Sequence, residues 1–423
     1  MARQALEAAL ELDLEVGAIA GGGGCVARAP DGKVVFVRHS LPGERVRARV
    51  TSETSSYLRA DAVEVVRASP DRVTPPCPHA GHGRCGGCDF QHVELRAQRR
   101  LKEARITELL GQLARTEHCV EVEPVPGADD GLGWRTRLRL AVDRNGVVGF
   151  HRHRSRQLEH VDACLVAHPN VAGTGALRTR WPGASELELV AGTGPGDVLV
   201  AVTPRGRGTL HLPEVDAGLV VRGTVNRAPG AVHATVRGRT YRISAGVFWQ
   251  AHVGAAEALL GAVLVAAGDC IGTGSAAADL YAGAGLFSVP LADEVGPSGS
   301  VLAIERDAHA CADARHNAAG LPSLRVEQAQ VTPELVASGI GRPAVVLLDP
   351  AREGAGVGVM RALARHGPTL RRIVYVSCDP ASFSRDIRAL LDEGWTIRSL
   401  RAFDIFPMTE HVELVGALDP PSP

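Results

Sequence analysis

From about residue 245 onward, apolar β-like segments alternate with helix-like segments. Six segments share a richness in strand-forming residues: AAADLYAGAG, SVLAIERD, SLRVEQAQ, PAVVLLDPA, RIVYVSCDP and WTIRSLRAFD. Strands separated by helices in this way are typical of a mostly parallel sheet that helices cover on both faces. The pattern therefore predicts an α/β fold, with a Rossmann-like, doubly wound sheet over residues 245–423.

The preceding residues divide into two further regions. Short β-like segments with turn signals, including the hairpin pair Asp31-Gly32, predict a small β-barrel over residues 1–68. Residues 69–244 are predicted to form a central domain that begins with a loop rich in Pro, Gly, Cys and His. Within it, residues 93–125 have a helical pattern and are a candidate to pack against the C-terminal domain.

Two basic segments lie in the central region. Five of the ten residues at 96–105 are Arg or Lys, and Arg and His residues cluster at 150–160. The first run is compatible with a solvated helix face and with a stripe that faces phosphates. Because the chain carries a formal net charge of -1, binding of nucleic acid would depend on such local patches.

The composition is that of an ordinary soluble protein, with 45% hydrophobic and 22% charged residues among 423. No apolar run reaches the roughly 18 residues that a membrane span requires. The start of the chain also lacks the basic and apolar regions of a signal peptide. We therefore expect a cytoplasmic protein without membrane contact, and no pattern indicates an obligate protein partner.

The segment DLYAGAGLF at residues 279–287 is the strongest signal for a cofactor. A strand that enters a Gly-rich turn lets the backbone approach a nucleotide, and Glu305, at the end of the next β-like segment, is placed to bind ribose hydroxyls. A dinucleotide site would continue as G-x-G-x-x-G/A, whereas Leu286 and Phe287 follow Gly285 here. The acidic residue before the first glycine favours S-adenosylmethionine, with another nucleotide or a simple Gly turn as alternatives.

Cys378 follows the β-like residues 373–377 and precedes an Asp-Pro turn. A cysteine at this point is compatible with a small buried hydrophobic residue. It is also compatible with a nucleophile, because parallel sheets bind ligands at the carboxyl ends of their strands. Asp349, at another predicted strand end, is either part of a strand stop or a group that orients a methyl donor or a base.

Four segments, DLYAGAGLF, LLDPAREGAG, IVYVSCDPASFSRD and FDIFPMTEHVELVGAL, follow one another in an order and spacing that resemble the RNA (uracil-5-)-methyltransferase family. Members of this family methylate a uridine of 23S rRNA or tRNA, and many carry a 4Fe-4S cluster. The resemblance implies a class I methyltransferase sheet, S-adenosylmethionine as cofactor and RNA as partner. It also implies that the N-terminal barrel is an OB-like TRAM domain.

Only 4% of the residues are aromatic. Aromatic side chains on which bases could stack are therefore scarce, and we expect phosphate contacts by Arg to dominate RNA binding by the TRAM-like domain.

The resemblance further implies the roles of individual residues. In this family a Cys attacks C6 of uracil, C5 accepts the methyl group, and a Glu removes the C5 proton; the matching residues are Cys378 and Glu413, with Glu410 as a nearby alternative base. The target uridine must leave its stack to reach the thiol. The implied cofactor contacts are Gln250, Tyr281, Gly283, Gly285, Leu286, Glu305, Gln328 and Asp349.

Four of the nine cysteines, Cys77, Cys85, Cys88 and Cys164, resemble the cluster ligands of the family. Four thiolates suit both zinc and iron-sulfur centres, and the resemblance favours a 4Fe-4S cluster with zinc as the alternative. Such a cluster is expected to hold a loop-rich domain together rather than to take part in methyl transfer.

The sequence departs from the family pattern at a few positions. Asp379 follows the implied nucleophile where Asn is usual, and its negative charge would raise the pKa of the thiol unless it is paired. His252 stands where Asn is common, and the first gap between the cluster cysteines, seven residues, is longer than usual.

Two other classes of protein fit the residues less well. A radical enzyme would need a C-x3-C-x2-C triplet. A non-catalytic RNA-binding protein with a methyltransferase-like domain would have lost the nucleophile or the base.

Overall fold

The computed structural model describes residues 10–421, which form two compact units. The first unit contains the residues up to Arg105 together with Gly149–Val161 and Phe406–Glu410. The second unit contains Ile106–Val148, Asp162–Ile405 and the residues from His411 onward. The first nine residues of the predicted 1–68 domain lie outside the described residues.

The elements are numbered in chain order. The strands are β1 (Glu11–Glu15), β2 (Cys25–Arg28), β3 (Val34–Arg38), β4 (Arg45–Glu53), β5 (Tyr57–Arg67), β6 (Val122–Pro124), β7 (Arg137–Val142), β8 (Val148–His151), β9 (Leu158–His160), β10 (Ala184–Ala191), β11 (Val198–Pro204), β12 (Gly218–Val221), β13 (Thr224–Arg227), β14 (Ala231–Val236), β15 (Arg239–Ser244), β16 (Ala276–Leu280), β17 (Ser300–Glu305), β18 (Leu324–Gln328), β19 (Val345–Leu348), β20 (Arg372–Ser377), β21 (Thr396–Asp404) and β22 (Glu413–Asp419). The helices are α1 (Leu95–Leu109), α2 (Pro169–Gly173), α3 (Ala255–Ala267), α4 (Ser288–Val295), α5 (Ala308–Asn317), α6 (Pro333–Ser338), α7 (Val357–Ala364) and α8 (Pro380–Leu391), with a π-helical turn at Leu110–Ala114 and a 3-10 turn at Gly268–Cys270.

The first five strands form one sheet in the order β1-β4-β5-β3-β2. β3 and β5 run parallel, and the other neighbouring strands run antiparallel. Side chains alternate between the two faces of the sheet, so that Val35 and Val37 of β3 are buried with Leu58 and Ala60 of β5 in one apolar core. The small β domain predicted for the N-terminal region is therefore present.

The helix predicted over residues 93–125 is too long. The helical turns end at Ala114, because Arg115 adopts the left-handed conformation with φ 56° and donates its N–H to the carbonyl of Leu110. β6 follows within the predicted helix and pairs with β21. Ile106 and Leu110 lie in the main core of the second unit, together with residues of its large sheet.

A β-rich part of the second unit precedes that large sheet. β10 pairs antiparallel with both β7 and β11, while β12 runs parallel to β11 and pairs with β13. β14 and β15 form a separate hairpin. The β-like pattern predicted before residue 244 is thus realised, while the predicted domain borders at residues 69 and 244 stay a prediction.

The large sheet of the second unit has eight strands in the order β18-β17-β16-β19-β20-β22-β21-β6. The five strands from β18 to β20 are parallel, whereas β22 runs antiparallel to its neighbours β20 and β21. The carboxyl ends of the parallel strands therefore lie at the same edge as the start of β22. Strand order reverses at β16, and ligands of open α/β sheets bind at such a switch point.

α8 follows β20 and packs against the large sheet through an apolar stripe. Phe383, Ile387 and Leu390 recur at helical spacing and are all buried, with the ring of Phe383 5.3 Å from that of Tyr375. Truncating such an aromatic core residue to Ala costs about 3–5 kcal/mol of unfolding free energy. This packing holds α8, and with it the loop that carries Cys378, against the sheet.

No helix within residues 10–421 combines the length and the apolar character needed to cross a membrane.

Candidate active site

The Gly-rich turn after β16 forms one side of the site. Tyr281, Gly283 and Gly285 all have positive φ angles of 71°, 53° and 90°, a conformation that glycine adopts easily and tyrosine does not. The N–H groups of Tyr281 and Ala282 both donate to the carbonyl of Ile304 at 3.0 Å, which fixes the turn beside the end of β17. These hydrogen bonds fix the conformation of the turn at the switch point of the sheet.

Glu305 ends β17 directly beside this turn. One carboxylate oxygen accepts from the N–H of Gly283 at 3.0 Å, and the other accepts from the N–H of Asp307 at 2.8 Å. The carboxylate is thus fixed in place, while each oxygen keeps a lone pair that can accept from a ribose hydroxyl.

Asp279 and Asp349 are acids near the ends of two neighbouring parallel strands. Asp279 is 0% exposed; one of its oxygens accepts from the hydroxyl of Ser288, and Oδ1 has no hydrogen-bond partner. Burial raises the pKa of Asp279 to about 7, and the nearby charge of Glu305 adds to this effect. Burial and then the charge of Asp279 raise the pKa of Asp349 to about 8. A positively charged ligand next to this pair would favour the ionised form of both acids.

Cys378 and Glu413 lie next to each other at the same edge. Ser377 of β20 pairs with Leu414 of the antiparallel strand β22. Cys378 follows Ser377 and Glu413 precedes Leu414, so the two residues come next along the two strands at the same edge. Glu413 is only 2% exposed, and burial, followed by the charge of Asp349, raises its pKa well above the usual value.

The thiol of Cys378 responds to the same groups. Burial and then the charge of Glu413 raise its pKa to about 12, and the positive charge of Arg352 acts in the opposite direction. Arg352 likewise lowers the pKa of Glu413, and its Nη2 lies 3.3 Å from Nε2 of His411. The site therefore combines a thiol, a carboxyl with a raised pKa and a cation, Arg352, that favours the ionised form of both.

Asp379, which departs from the family pattern, has a structural role. It is the N-cap of α8, and its side chain accepts from the N–H of Ser382 at 2.6 Å. A carboxylate at a helix N-terminus is stabilised by the unpaired N–H groups there. Its effect on the pKa of Cys378 is correspondingly smaller than those of Glu413 and Asp349.

The loop after β19, which carries Arg352, is held by Asp386 of α8. Oδ2 of the buried Asp386 accepts from the hydroxyl of Tyr375 at 2.6 Å and from the N–H groups of Ala355 and Gly356 at 2.8 and 3.1 Å. A Cβ on Gly354 would lie 2.5 Å from the same oxygen, so only glycine fits. Asp386 was not predicted from the sequence, where its only signal is an acidic residue next to the apolar stripe of α8.

The other predicted cofactor residues lie around this edge in different environments. Gln250 is buried in the loop before α3, and Leu286 is buried in the Gly-rich turn. Gln328 pairs in register with Glu305 at the end of β18, but its side chain is exposed and donates to the carbonyl of Arg306 at 3.3 Å. The ring of His252 stacks on Trp134 at 5.6 Å, and burial lowers its pKa to about 4. His252 is thus a neutral packing residue.

Glu410, the alternative base, belongs to the first unit. Its Oε2 accepts from the N–H groups of Gly22 and Gly23 at 2.5 and 2.7 Å. Glu410 is thereby engaged by backbone donors, whereas Glu413 stands beside Cys378 in the sheet register.

The predicted metal ligands are distributed over the two units. Cys77, Cys85 and Cys88 lie in the first unit and Cys164 in the second, all partly buried. Within residues 10–421, no three or more His, Cys, Asp or Glu side chains are arranged so that they could hold a metal ion.

Known proteins resemble this chain over nearly its whole length. The TRAM domain family matches residues 11–63, and the tRNA (Uracil-5-)-methyltransferase family matches residues 342–418. A protein of Streptomyces avermitilis named as an RNA methyltransferase is 44% identical, with 97% of this chain and 98% of that protein covered. The 23S rRNA (uracil(1939)-C(5))-methyltransferase RlmD of Shewanella amazonensis is 31% identical, with 90% of each chain covered.

A solved structure shares the fold. The crystal structure of Pyrococcus abyssi tRNA (uracil-54, C5)-methyltransferase in complex with S-adenosyl-L-homocysteine superposes with a TM-score of 0.72, covering 96% of this chain and 99% of that one at 23% identity. The predicted combination of a class I methyltransferase sheet and an N-terminal TRAM domain is thus confirmed. The chain belongs to the RNA (uracil-5-)-methyltransferase family and is an RNA methyltransferase that depends on S-adenosylmethionine.

Proposed function

We propose that this enzyme methylates C5 of one specific uridine in rRNA or tRNA through a covalent bond between Cys378 and C6. The observation that carries the proposal is the β20–β22 register, which brings the thiol of Cys378 and the buried carboxyl of Glu413 to the same edge as the Gly-rich turn. A non-catalytic RNA-binding role would not require a nucleophile and a base at adjacent positions.

The uracil ring is a poor carbon nucleophile until the Cys378 sulfur adds to C6. The electron pair of the C5–C6 double bond then moves toward C5 and O4, and C5 becomes able to accept a methyl group. When bound, S-adenosylmethionine supplies that methyl group as an electrophile. Glu413, once ionised, takes the C5 proton, the C5–C6 double bond forms again, and the Cys378 thiolate leaves.

The residues present fit the cofactor. The free lone pairs of Glu305 suit the ribose hydroxyls, and the unpartnered buried oxygen of Asp279 suits a cationic group, as does Asp349. We propose Tyr281, Gly283, Gly285 and Leu286 of the turn, together with Gln250 and Gln328, as the remaining contacts.

The decisive experiment separates the nucleophile from the base. Cys378→Ala should abolish both methylation and any covalent protein–RNA species, because no later step can begin. Glu413→Gln should still allow attack and methyl transfer, and should accumulate an adduct that migrates slowly on a denaturing gel. RNA containing 5-fluorouridine should trap the unaltered enzyme in the same way, since fluorine cannot leave as a proton does.

Two matched controls accompany these variants. Cys119→Ala removes an exposed thiol and Glu410→Gln changes the alternative carboxyl, so both should retain turnover. An adduct formed by Cys378→Ala, or normal turnover by Glu413→Gln, would show that the roles are misassigned. The substrate itself follows from mass spectrometry of rRNA and tRNA from cells that lack the protein, in which 5-methyluridine should be missing from one RNA class.

An iron-sulfur cluster on Cys77, Cys85, Cys88 and Cys164 stays a prediction from the family resemblance, and no step of the reaction depends on it. Protein purified without oxygen should contain about four iron and four sulfide per chain. Cys164→Ser should lower the iron content while binding of S-adenosylmethionine is retained. Stoichiometric zinc in place of iron would favour the alternative centre, and the absence of both metals would refute the ligand set. The cytoplasmic location also stays a prediction.

A further inference from the structure

The outer face of the TRAM sheet carries two aromatic rings. On β3 and β5 the buried residues alternate with half-exposed Phe36, Tyr57 and Arg59, which all point away from the core. Phe36 pairs in register with Arg59, and Val34 pairs with Tyr57. We call Val34, Phe36, Tyr57 and Arg59 the aromatic patch.

The rings of the aromatic patch are held in a defined geometry. The ring centroids of Phe36 and Tyr57 are 5.5 Å apart with planes at 77°, an edge-to-face arrangement. The guanidinium carbon of Arg59 lies 4.8 Å from the centroid of the Tyr57 ring. In a chain with 4% aromatic residues, two aromatic rings and a stacked Arg on a sheet face that is open to solvent need an explanation beyond core packing.

The charges of the sheet differ between its two sides. On β4 two arginines are neutralised, because Arg47 pairs with Glu64 and Arg49 with Glu11, both at 2.8 Å. These arginines are poorly placed to give the phosphate contacts expected from the sequence. Arg59 makes no ion pair within the described part of the chain, and Arg28, opposite Val34, donates to the carbonyl of Gly32 at 3.1 Å rather than to a carboxylate. Among the described residues, Arg28 and Arg59 beside the rings therefore have no carboxylate partner. Lys33 and Arg38, near the two ends of β3, pair with Glu53 and Asp89.

We propose that the aromatic patch is the surface on which the TRAM domain binds single-stranded RNA, with an unpaired base stacking on Tyr57 and Phe36 and with Arg28 and Arg59 contacting flanking phosphates. The proposal rests on the function proposed above, in which the substrate is RNA. Every base has a π-face, so the patch supplies affinity without sequence preference, and OB-like sheets bind single strands on the same principle.

The test uses the full-length protein and a fluorescent single-stranded RNA of about 12 nucleotides, followed by anisotropy at several salt concentrations. Tyr57→Leu keeps apolar bulk but removes the π-face, and should weaken binding about tenfold without changing the slope of log affinity against log salt. Tyr57→Phe keeps the ring and should bind within about twofold of the parent. Arg59→Gln should both weaken binding and reduce the slope by about 0.7.

Arg49→Gln, a change to a neutralised arginine of the same sheet, is the matched control and should leave affinity and slope unchanged. Wild-type affinity in Tyr57→Leu and Arg59→Gln would show that the aromatic patch only stabilises the sheet, as would a parent protein that does not bind single strands. If Tyr57→Leu lowers the melting temperature, its loss of affinity no longer reports on the ring alone, and the result for Arg59→Gln then decides the proposal.

Methylation assays separate this idea from the proposed function. Tyr57→Leu should raise KM for RNA and leave kcat and binding of S-adenosylmethionine unchanged. If KM and kcat are both unchanged, the patch proposal fails while the enzyme activity stands. If the parent protein forms no 5-methyluridine in any RNA, the proposed function fails whatever the oligonucleotide affinity.

Discussion

At the scale of single residues, the site is dominated by buried carboxyls whose pKa values are raised. Burial raises the pKa of Asp279 to about 7 and that of Asp349 to about 8, and raises that of Glu413 well above its usual value. The negative charge of Glu305 contributes to the raised pKa of Asp279, and that of Asp349 to the raised pKa of Glu413. The positive charge of Arg352 acts in the opposite direction on Glu413. A cationic ligand changes this balance, because it favours the ionised forms.

Affinity for S-adenosylmethionine should therefore rise between about pH 6 and about pH 8. In the free enzyme the raised pKa values of Asp279 and Asp349 keep protons bound at the acidic end, and binding of the sulfonium must expel them. For one released proton the slope is at most tenfold per pH unit, and it levels off above the pKa of about 8. Calorimetry in buffers of different ionisation enthalpy measures both the affinity and the released proton.

S-adenosylhomocysteine lacks the sulfonium charge, so its affinity should depend on pH less steeply. Asp349→Asn should flatten the dependence for S-adenosylmethionine, while Glu294→Gln, a change to an exposed acid of α4, should leave it intact. Equal proton release by the two ligands would contradict this account.

At the scale of elements, the strand-helix alternation was enough to predict the parallel strands and the Gly-rich turn, because those signals are local. Three features were not predictable from local patterns. The left-handed Arg115 ends a helix whose apolar pattern continues, the pairing of β22 with β20 joins segments distant in sequence, and Asp386 acts through the backbone of another loop. Each depends on tertiary contacts, which the spacing of apolar residues along the chain does not predict.

Asp386→Ala should loosen the loop that carries Arg352. It removes the acceptor of the Tyr375 hydroxyl and of the Gly356 N–H, and leaves the Ala355 N–H with only the Tyr375 oxygen at 3.2 Å, at a cost of about 2–4 kcal/mol in unfolding free energy. Because Arg352 lowers the pKa of Cys378, its displacement should raise that pKa and slow alkylation of the thiol at a given pH. Denaturant unfolding and mass spectrometry of iodoacetamide-labelled Cys378 measure the two effects.

Asp392→Ala removes an acid that pairs with Arg388 at the exposed end of the same helix and serves as the control. It should leave both stability and thiol alkylation nearly unchanged, because an exposed ion pair contributes little. An alkylation rate that is equally unaffected in Asp386→Ala would show that the loop keeps Arg352 in place without this carboxylate.

At the scale of the whole molecule, the predicted domain of residues 1–68 does not close its own core. Phe90, Val93 and Ala97 are buried against the residues of the N-terminal sheet. Deleting residues 1–68 should therefore expose these side chains and lower soluble yield, in addition to weakening RNA binding. Calorimetry should show that the truncated protein still binds S-adenosylmethionine, since the proposed cofactor residues all belong to the second unit.

A truncation after residue 105 gives a contrasting case. The isolated residues 1–105 retain the sheet and its core partners but lack the other two segments of the first unit, Gly149–Val161 and Phe406–Glu410. We expect a cooperative but less stable fold, measured by thermal melting, that is stabilised when a peptide with the sequence FPMTE is added. A melting temperature that does not respond to the peptide would show that this segment adds nothing to the fold.

The segment Phe406–Glu410 makes hydrogen bonds with several parts of the first unit. The carbonyl of Met408 accepts from the N–H of Phe90, and the N–H of Met408 donates to the buried side chain of Gln98. Lys102 donates to the carbonyl of Phe406 at 3.1 Å, and Glu410 accepts from the N–H groups of Gly22 and Gly23. The ribosome makes this segment about 300 residues after Arg105, which at about 5–20 residues per second is a delay of roughly 15–60 seconds. The nascent N-terminal sheet must wait that long for its last partner, so nearly the whole chain has to be synthesised before the first unit is complete.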